Sequence, residues 1–224
     1  QNLTRTQQSE TLGESFCVLF GIADEERAAK VISSMPVGEF GPPIFSPQIV
    51  SQPDYHNNGV WPYVTSFWGK AAAKVGNETA LMHALACNVR TASIYATNYE
   101  NYSFNTGNPY TTQINSPNML WGLSGFMGLF HRTFFGLEFT KEGLALKPFI
   151  PTVLAGTRKL EAFPYRGMKL DITVSGSGNE IASCLVDGKE AEAFIPADWT
   201  GNHSIEIVMK GEHKPSSVNM VGYI

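Results

Sequence analysis

Apolar residues recur at helical spacing over most of the first 136 residues. The pattern predicts five helices, at about residues 3–20, 24–35, 57–76, 78–98 and 116–135. Asp24, Asn77 and Ser116 are typical N-cap residues, and they precede the second, fourth and fifth of these helices. Short turns alternate with long loops, which is typical of stacked helical hairpins. In such a stack the long loops gather at one end, so we expect the two polar loops to meet there and form a site.

After Gly136 the apolar pattern changes from helical spacing to alternation. Residues 159–165 and 168–174 alternate, and Arg166-Gly167 between them indicates a hairpin. Asp187-Gly188 indicates a second tight turn. The other predicted strands are short, at 137–140, 144–148, 180–185, 191–195 and 203–208. We therefore predict an α+β chain with a helical domain over residues 1–136 and an antiparallel β-sandwich over residues 137–224.

Composition narrows the classes of partner. Hydrophobic residues make up 43% of the chain and charged residues only 16%, which favours a folded core over disorder. The net charge is −4 and no run of Lys or Arg occurs, so we expect no nucleic-acid partner. No apolar run approaches the roughly 18 residues of a membrane span, so we expect no membrane partner.

The cysteines and the start of the chain add little chemistry. The three cysteines are far apart and lack metal-ligand spacing, so we predict neither a disulfide framework nor a metal site: Cys17, Cys87 and Cys184. Nothing else in the sequence implies a cofactor.

The chain begins at Gln1 without a Met or a targeting signal, which indicates a piece of a longer protein. Its compartment is therefore unassigned, and a periplasmic or extracellular location stays open.

The most informative stretch runs from Asp54 to Gly136. Its opening segment, 54–62, and the polar loop at 99–115 carry aromatic residues beside Asn, His and the carboxylate of Glu100. Aromatic faces with nearby donors and acceptors are what a carbohydrate site needs, although a core helix pair with a polar loop would have the same composition. The candidate sugar contacts are Tyr55, His56, Asn57, Trp61, Tyr102 and Trp121. For Trp61, a position in the core is an equal alternative.

Three segments resemble the six-hairpin glycosidases, a group of (α/α)6-toroid enzymes that includes trehalase-like, glucosidase I-like and debranching-type glycoside hydrolases. YHNNGVWP at 55–62 resembles the element that opens a late barrel helix in these families. YENYSFNTG at 99–107 is similar to a loop of the glucosidase I-like group, and SPNMLWGLSG at 116–125 resembles the helix start after that loop. The resemblance implies that residues 1–136 are the C-terminal helices of a partial (α/α)6 toroid of helical hairpins, followed by the β-sandwich.

The resemblance also implies an activity. Glu100 would be the general base of an inverting glycoside hydrolase, acting on a carbohydrate substrate. The matching general acid would lie upstream of Gln1, in a missing N-terminal half of the toroid that would be the chain's partner, so we expect the chain alone to be inactive. Asp54 and Glu39 could be proposed as the acid, but neither matches the family pattern, and we interpret Asp54 as a loop or cap residue.

Several alternatives remain open. The motifs do not separate a debranching-type glucosidase from a rhamnosidase-like enzyme, and a phosphorylase is disfavoured because phosphate would replace the base. A carbohydrate-binding or structural module without chemistry is the alternative from another class, with Phe163, Tyr165 and Trp199 as platforms in the β part. We interpret His83 and His131 as structural, and the glycines at 122, 125 and 128 as sites of close helix packing.

Overall fold

A computed structural model describes residues 7–222, which divide between two compact units. The first unit comprises Gln1–Met127 and Pro215–Ile224, of which residues 7–127 and 215–222 are described. The second unit comprises Gly128–Lys214. The first break therefore falls inside the fifth helix, before the boundary predicted at residue 136.

Helices dominate the first unit. They are α1 (Thr11–Leu19), α2 (Glu25–Ser34), α3 (Pro62–Lys74), α4 (Glu78–Tyr95) and α5 (Leu120–Leu129), the last of which crosses the break. Two predicted N-caps are confirmed, because the side chains of Asp24 and Asn77 accept hydrogen bonds from backbone N–H groups in the first turns of α2 and α4. Trp61 is the N-cap residue of α3, and Pro62 occupies the first helical position, where its missing N–H costs nothing.

The core of the first unit lies between α3 and α4. Small and large apolar residues alternate there at helical spacing, which lets the helices approach closely while Trp68 fills the space between them. The fully buried members are Val64, Trp68, Ala71, Ala72, Ala80, Leu81 and Ala84. This packing fixes the N-terminal end of α3, which carries Trp61.

The predicted start of the fifth helix at Ser116 is wrong, since α5 begins four residues later at Leu120. Residues 116–119 instead bind the neighbouring loop: the N–H of Glu100 donates to the Ser116 carbonyl at 2.9 Å, and the N–H of Met119 donates to the Asn98 carbonyl at 2.8 Å. Asn118 has a left-handed backbone with φ of 58°. Pairing with a distant segment therefore wins over local capping chemistry.

The strands of the first unit are only two residues long. They are β1 (Ser9–Glu10), β2 (Pro36–Val37), β3 (Phe45–Ser46), β4 (Gly59–Val60) and β5 (Tyr102–Ser103). β1 pairs with β3 and β4 pairs with β5, both antiparallel. Two residues are too few to produce an alternating pattern, so the sequence did not predict these strands.

In the second unit, a π-helical turn at Phe130–Phe134 precedes the strands. These are β6 (Leu137–Phe139), β7 (Gly143–Leu146), β8 (Gly156–Tyr165), β9 (Met168–Gly176), β10 (Glu180–Val186), β11 (Lys189–Glu190), β12 (Phe194–Pro196) and β13 (Gly201–Lys210). They form a five-stranded sheet in the order β11-β10-β13-β9-β8 and a three-stranded sheet in the order β12-β7-β6. The hairpins predicted at Arg166-Gly167 and Asp187-Gly188 are confirmed, since they join β8 to β9 and β10 to β11.

The chain then returns to the first unit. β14 (Asn219–Met220) pairs in parallel with β2, and the Asn219 side-chain amide donates to the Ser34 carbonyl at 3.0 Å. The Thr79 hydroxyl lies 2.9 Å from the Ser216 hydroxyl. Residues 215–222 are thus tied by hydrogen bonds to both α2 and α4.

The predicted architecture, a partial (α/α)6 toroid of helical hairpins followed by an antiparallel β-sandwich, is wrong. Residues 7–222 form a mixed structure of five α-helices and several small sheets, in which no toroid of helical hairpins is evident. The largest sheet is not antiparallel throughout, because β13 runs parallel to β9. Loop lengths and loop motifs report local geometry, and alternation does not reveal strand direction, so neither could establish ring closure or sheet topology.

Candidate functional site

The two polar loops meet, as predicted. Gly59 pairs with Ser103 and Val60 with Tyr102 in the β4–β5 ladder. The Ser103 hydroxyl donates to the Asp54 carboxylate at 2.7 Å, and the Asn58 amide donates to the other oxygen of that carboxylate at 2.9 Å. A short ladder and a shared carboxylate therefore hold the loops in register.

Five aromatic side chains from these loops and helix starts contact one another. His56 stacks on Trp61 with ring centroids 5.0 Å apart, and Trp121 stacks on Tyr63 with centroids 4.8 Å apart. Trp61 joins the two pairs, since its centroid lies 5.4 Å from that of Trp121. We call this group the tryptophan cluster, and its members are Tyr55, His56, Trp61, Tyr63 and Trp121.

The tryptophan cluster runs from the core to the surface. Trp61 is 3% exposed and packs in a small hydrophobic core with Ile44 and Val64. Trp121 is 40% exposed, and His56 is also exposed. Trp61 therefore lies at the buried end of the cluster, in the core position that was considered for it. The accessible end, where a sugar could make contact, consists of Trp121 and His56.

Close backbone approach positions Tyr63 and Trp121. A Cβ at Gly125 would lie 3.0 Å from Cα of Tyr63, whereas a Cβ at Gly122 would lie 3.6 Å from Cβ of Pro62. Helix α5 therefore packs directly on the first turn of α3, and glycine at 125 makes room for it. The packing predicted from the glycine spacing is confirmed at these two positions.

Glu100 lies beside this cluster. The pKa of Tyr55 is raised, first by burial and then by the Glu100 carboxylate, through its charge and a hydrogen bond. Hydrogen bonds from two consecutive backbone N–H groups fix the loop around Glu100. The N–H of Glu100 donates to the Ser116 carbonyl, and the N–H of Asn101 donates to the Asn115 side chain at 3.3 Å. The predicted base is thus held next to an aromatic ring by the backbone.

Two predicted sugar contacts have other partners. Asn57 is 7% exposed, its side-chain oxygen accepts from the Ile49 N–H at 2.7 Å, and its amide donates to the Gln52 carbonyl at 3.0 Å. Tyr102 is 1% exposed, and its hydroxyl accepts from the Tyr99 N–H at 3.1 Å. Both side chains shape the loops rather than face solvent.

The other carboxylates considered from the sequence also have partners. Asp54 binds Ser103 and Asn58, as described above. Glu39 forms an exposed ion pair with Arg90 at 3.2 Å. The sequence therefore placed Asp54 correctly in a loop at the site, and its observed hydrogen bonds are structural.

Sequence analysis missed two residues at the site, Tyr63 and Glu10. Glu10 caps α1 by accepting hydrogen bonds from the N–H groups of Leu12 and Gly13, and its charge contributes to the raised pKa of Tyr63, after burial. The starts of α1, α3 and α5 therefore converge on the tryptophan cluster. Helix N-termini favour negative charge, which suits a site that carries Glu10 and Glu100. The signal that could have found Glu10 is its place just before an apolar helical pattern.

A cysteine–histidine pair elsewhere in the first unit resembles a nucleophile and its base, but its thiol is not activated. Sγ of Cys87 lies 3.5 Å from Nε2 of His83, and that nitrogen lies 2.9 Å from the Gly38 carbonyl oxygen. Burial raises the pKa of Cys87 to about 12 and lowers that of His83. A thiol with so high a pKa supplies almost no thiolate near neutral pH, so this pair is poorly suited to thiol catalysis.

The described residues contain neither a metal-ligand cluster nor a membrane-spanning helix. Among the residues that the structure describes, His, Cys, Asp and Glu side chains nowhere gather in threes as metal ligands would. None of the helices in residues 7–222 is both long and apolar enough to cross a membrane.

Comparison with known proteins assigns no family: no protein-family model matches the chain, and no curated protein matches it. The candidate site therefore stands on its geometry and on the resemblance of its loop sequences.

Proposed function

We propose that this chain carries the sugar-binding surface and the general base of a glycoside hydrolase that inverts the anomeric centre. The observation that supports the proposal best is the placement of Glu100 beside Tyr55 at the edge of the tryptophan cluster. Stacked aromatic faces bind the C–H surfaces of sugar rings, and a carboxylate beside them can act on a water molecule.

In the proposed reaction, Glu100 removes a proton from water as the water oxygen attacks the anomeric carbon. The bond between that carbon and the leaving-group oxygen breaks, and a separate acid gives the leaving group its proton. Inverting enzymes place the two carboxyl groups about 6.5–9.5 Å apart so that the water fits between sugar and base. His56 and Trp121 are the exposed rings that would hold the sugar, with Tyr55 positioning the Glu100 carboxylate.

A second candidate function is carbohydrate binding without catalysis. Glu10, the second carboxylate at the cluster, favours this binding function, because both of its side-chain oxygens already accept hydrogen bonds from backbone N–H groups of α1. Glu10 therefore caps α1 and is not free to turn toward a leaving group. Two functions with one binding surface therefore have to be separated by a chemical test of Glu100.

Glycosyl fluorides provide that test, because fluoride leaves without a proton and the reaction needs no general acid. We would incubate the chain with α- and β-fluorides of glucose, mannose and galactose and measure fluoride release and the anomer formed. The proposal predicts release for one of them with inversion, and a loss of about 100-fold or more in Glu100→Gln, the usual share of a general base.

Glu39→Gln is the matched control, since it removes an exposed carboxylate in another loop and should leave the rate unchanged. Retention of configuration, or equal rates for Glu100→Gln and the unmodified chain, would rule out Glu100 as the base. Perturbation of the indole N–H signals of Trp61 and Trp121 by sugars without any fluoride release would instead support the binding function.

A further inference from the structure

Four tyrosines next to Glu100 form a second aromatic group. The rings of Tyr95 and Tyr102 stack at 5.8 Å, and the rings of Tyr99 and Tyr110 meet edge to face at 5.6 Å. Tyr95 contacts both of the latter, at 5.9 and 6.0 Å. We call this group the tyrosine cluster, and its members are Tyr95, Tyr99, Tyr102 and Tyr110.

The tyrosine cluster extends from a buried ring to rings at the surface. Tyr102 is 1% exposed, whereas Tyr110 is 71% exposed and Tyr99 is partly exposed. The Tyr99 hydroxyl donates to the Tyr110 hydroxyl at 3.1 Å, and this hydrogen bond is the main reason that the pKa of Tyr99 is raised. Two rings with touching hydroxyls at the surface offer apolar faces and hydrogen-bonding groups together.

Hydrogen bonds hold the segment that carries Tyr110 in place. The side-chain amide of Asn115 donates to the Asn101 and Pro109 carbonyls, both at 2.7 Å. The N–H of Tyr110 donates to the Asn108 side chain at 2.8 Å. A surface held in this way loses little conformational freedom when it binds a ligand.

The composition of the segment indicates the kind of ligand. Residues 95–118 contain one charged residue, Glu100, and are otherwise rich in Tyr, Asn, Thr and Ser. Nucleic acid would require positive charge here, and the segment carries none. A neutral surface of phenol rings, amides and hydroxyls suits an uncharged, hydroxyl-rich molecule.

Glu100 joins the two aromatic groups. Its carboxylate lies beside Tyr55 of the tryptophan cluster, and its chain neighbour Tyr99 belongs to the tyrosine cluster. We propose that Tyr99 and Tyr110 form a second saccharide-binding surface, so that the ligand is an oligosaccharide whose units contact both clusters rather than a single sugar. This inference rests on the proposed function, since it takes the tryptophan cluster as the site of the first unit.

A length series of probes tests the inference. The 224-residue chain, labelled with ¹³C on tyrosine rings and ¹⁵N on tryptophan indoles, would be titrated with α-1,4-gluco-, α-1,6-manno- and β-1,4-gluco-oligosaccharides of one to five units. We expect a single sugar to move the Trp61 and Trp121 signals and to leave the Tyr99 and Tyr110 signals fixed. Longer members of one series should also move the Tyr99 and Tyr110 signals and bind more tightly.

Substitutions give the second readout. Tyr110→Ala should weaken binding of the longer oligosaccharide by roughly tenfold, the scale of one lost aromatic contact, and leave binding of the single sugar unchanged. Tyr110→Phe keeps the ring and should lose less. Ile114→Ala is the matched control, because Ile114 is an exposed side chain in the same segment that is 59% accessible.

Each outcome decides between the two proposals. Tryptophan signals that move with every length while the Tyr99 and Tyr110 signals stay fixed would overturn the inference and leave the proposed function standing. Tyr99 and Tyr110 signals that move without the tryptophan signals would support a saccharide surface at these two residues and reject the tryptophan cluster as the first site. If neither the tryptophan nor the tyrosine signals moved with any probe at about 50-fold molar excess over the protein, both the inference and the proposed function would be rejected.

Discussion

The indole N–H of Trp61 donates a 3.0 Å hydrogen bond to the backbone carbonyl of Tyr55. This bond closes a tight turn in which the ring of the seventh residue, Trp61, returns to the first, Tyr55. It places the rings of Tyr55, His56 and Trp61 in contact, so the loop arranges its aromatic residues through its backbone. Glycine at 59 is what allows the turn to close.

Substituting Gly59 should therefore damage both stability and the site. A Cβ at position 59 would lie 1.8 Å from the Tyr55 carbonyl oxygen and 3.3 Å from Nε1 of Trp61. We expect Gly59→Ala to lower the free energy of unfolding by about 1–3 kcal/mol, the range of overpacked sites, as measured by urea denaturation. Gly167→Ala is the control, since the nearest atom to its Cβ would be Cγ2 of Thr200 at 3.4 Å, an ordinary contact distance. Equal stabilities for the two variants would contradict the close contact.

The two glycines of α5 should respond in opposite directions to alanine. Gly122→Ala has room for its methyl group and should stabilise the chain by up to about 1 kcal/mol through better helix propensity. Gly125→Ala gains the same propensity but pushes against the Tyr63 backbone, so we expect a net loss of stability and a change in the near-ultraviolet circular dichroism of Trp121. If both variants were stabilised, α5 would not press on α3 as closely as the structure has it.

The second unit contains a pH-sensitive pair. Nδ1 of His203 lies 2.7 Å from the Asp187 carboxylate, and Nε2 lies 3.1 Å from the Thr200 carbonyl oxygen. Only a protonated imidazole donates from both nitrogens, and the hydrogen bond to Asp187 is the main reason that the pKa of His203 is raised. The same bond lowers the pKa of Asp187.

The two shifts define a pH window. The stabilisation from His203 is complete below its ordinary pKa of 6.5 and is lost as pH rises through the raised value. The stabilisation from Asp187 is complete above its ordinary pKa of 3.8 and is lost as pH falls through the lowered value. We would measure the free energy of unfolding by urea from pH 3 to 9 for the unmodified chain and for His203→Gln. The two free energies should differ most between pH 3.8 and pH 6.5, the ordinary pKa values of the two groups. A difference that does not change with pH would contradict the ion pair.

Cys87 should resist thiol reagents. Burial raises its pKa to about 12, so almost no thiolate exists at pH 8. We expect iodoacetamide at pH 8 to leave Cys87 unmodified in the folded chain and to modify it in urea, as read by peptide mass spectrometry. Rapid labelling of the folded chain would mean that the thiol is accessible and activated, and it would reopen thiol chemistry at this pair.

The parts of the fold that sequence predicted correctly depend on neighbouring residues. Asp24 and Asn77 cap helices, and Asp187-Gly188 forms a hairpin turn, because cap and turn chemistry involves three or four consecutive residues. The stretch around Glu100 was found for a similar reason, since its polar and aromatic residues are contiguous. The two polar loops were expected to meet because long loops gather at one end of a helical stack, and they do meet although no toroid is evident in residues 7–222.

The parts that sequence missed depend on contacts between distant segments. Ser116 looks like an N-cap, but its carbonyl accepts the Glu100 N–H and the helix starts later. Glu10 reaches the site only because α1 packs on α3, and Tyr110 meets Tyr99 across a loop. The overall architecture failed for the same reason: short strands such as β4 and β5, and the parallel pairing of β13 with β9, leave no periodic signal in the sequence.

The return of residues 215–222 to the first unit has a consequence for synthesis. The strand partner of β2 lies more than 180 residues further along, since Asn219 binds Ser34 with a sequence separation of 185. While the ribosome is still making the second unit, β2 lacks that partner and α4 lacks the contacts of Ser216 and Ser217. The unit that carries Glu100 therefore completes its hydrogen bonding only after this late segment has emerged, and until then the edge of β2 is open to pairing with other chains.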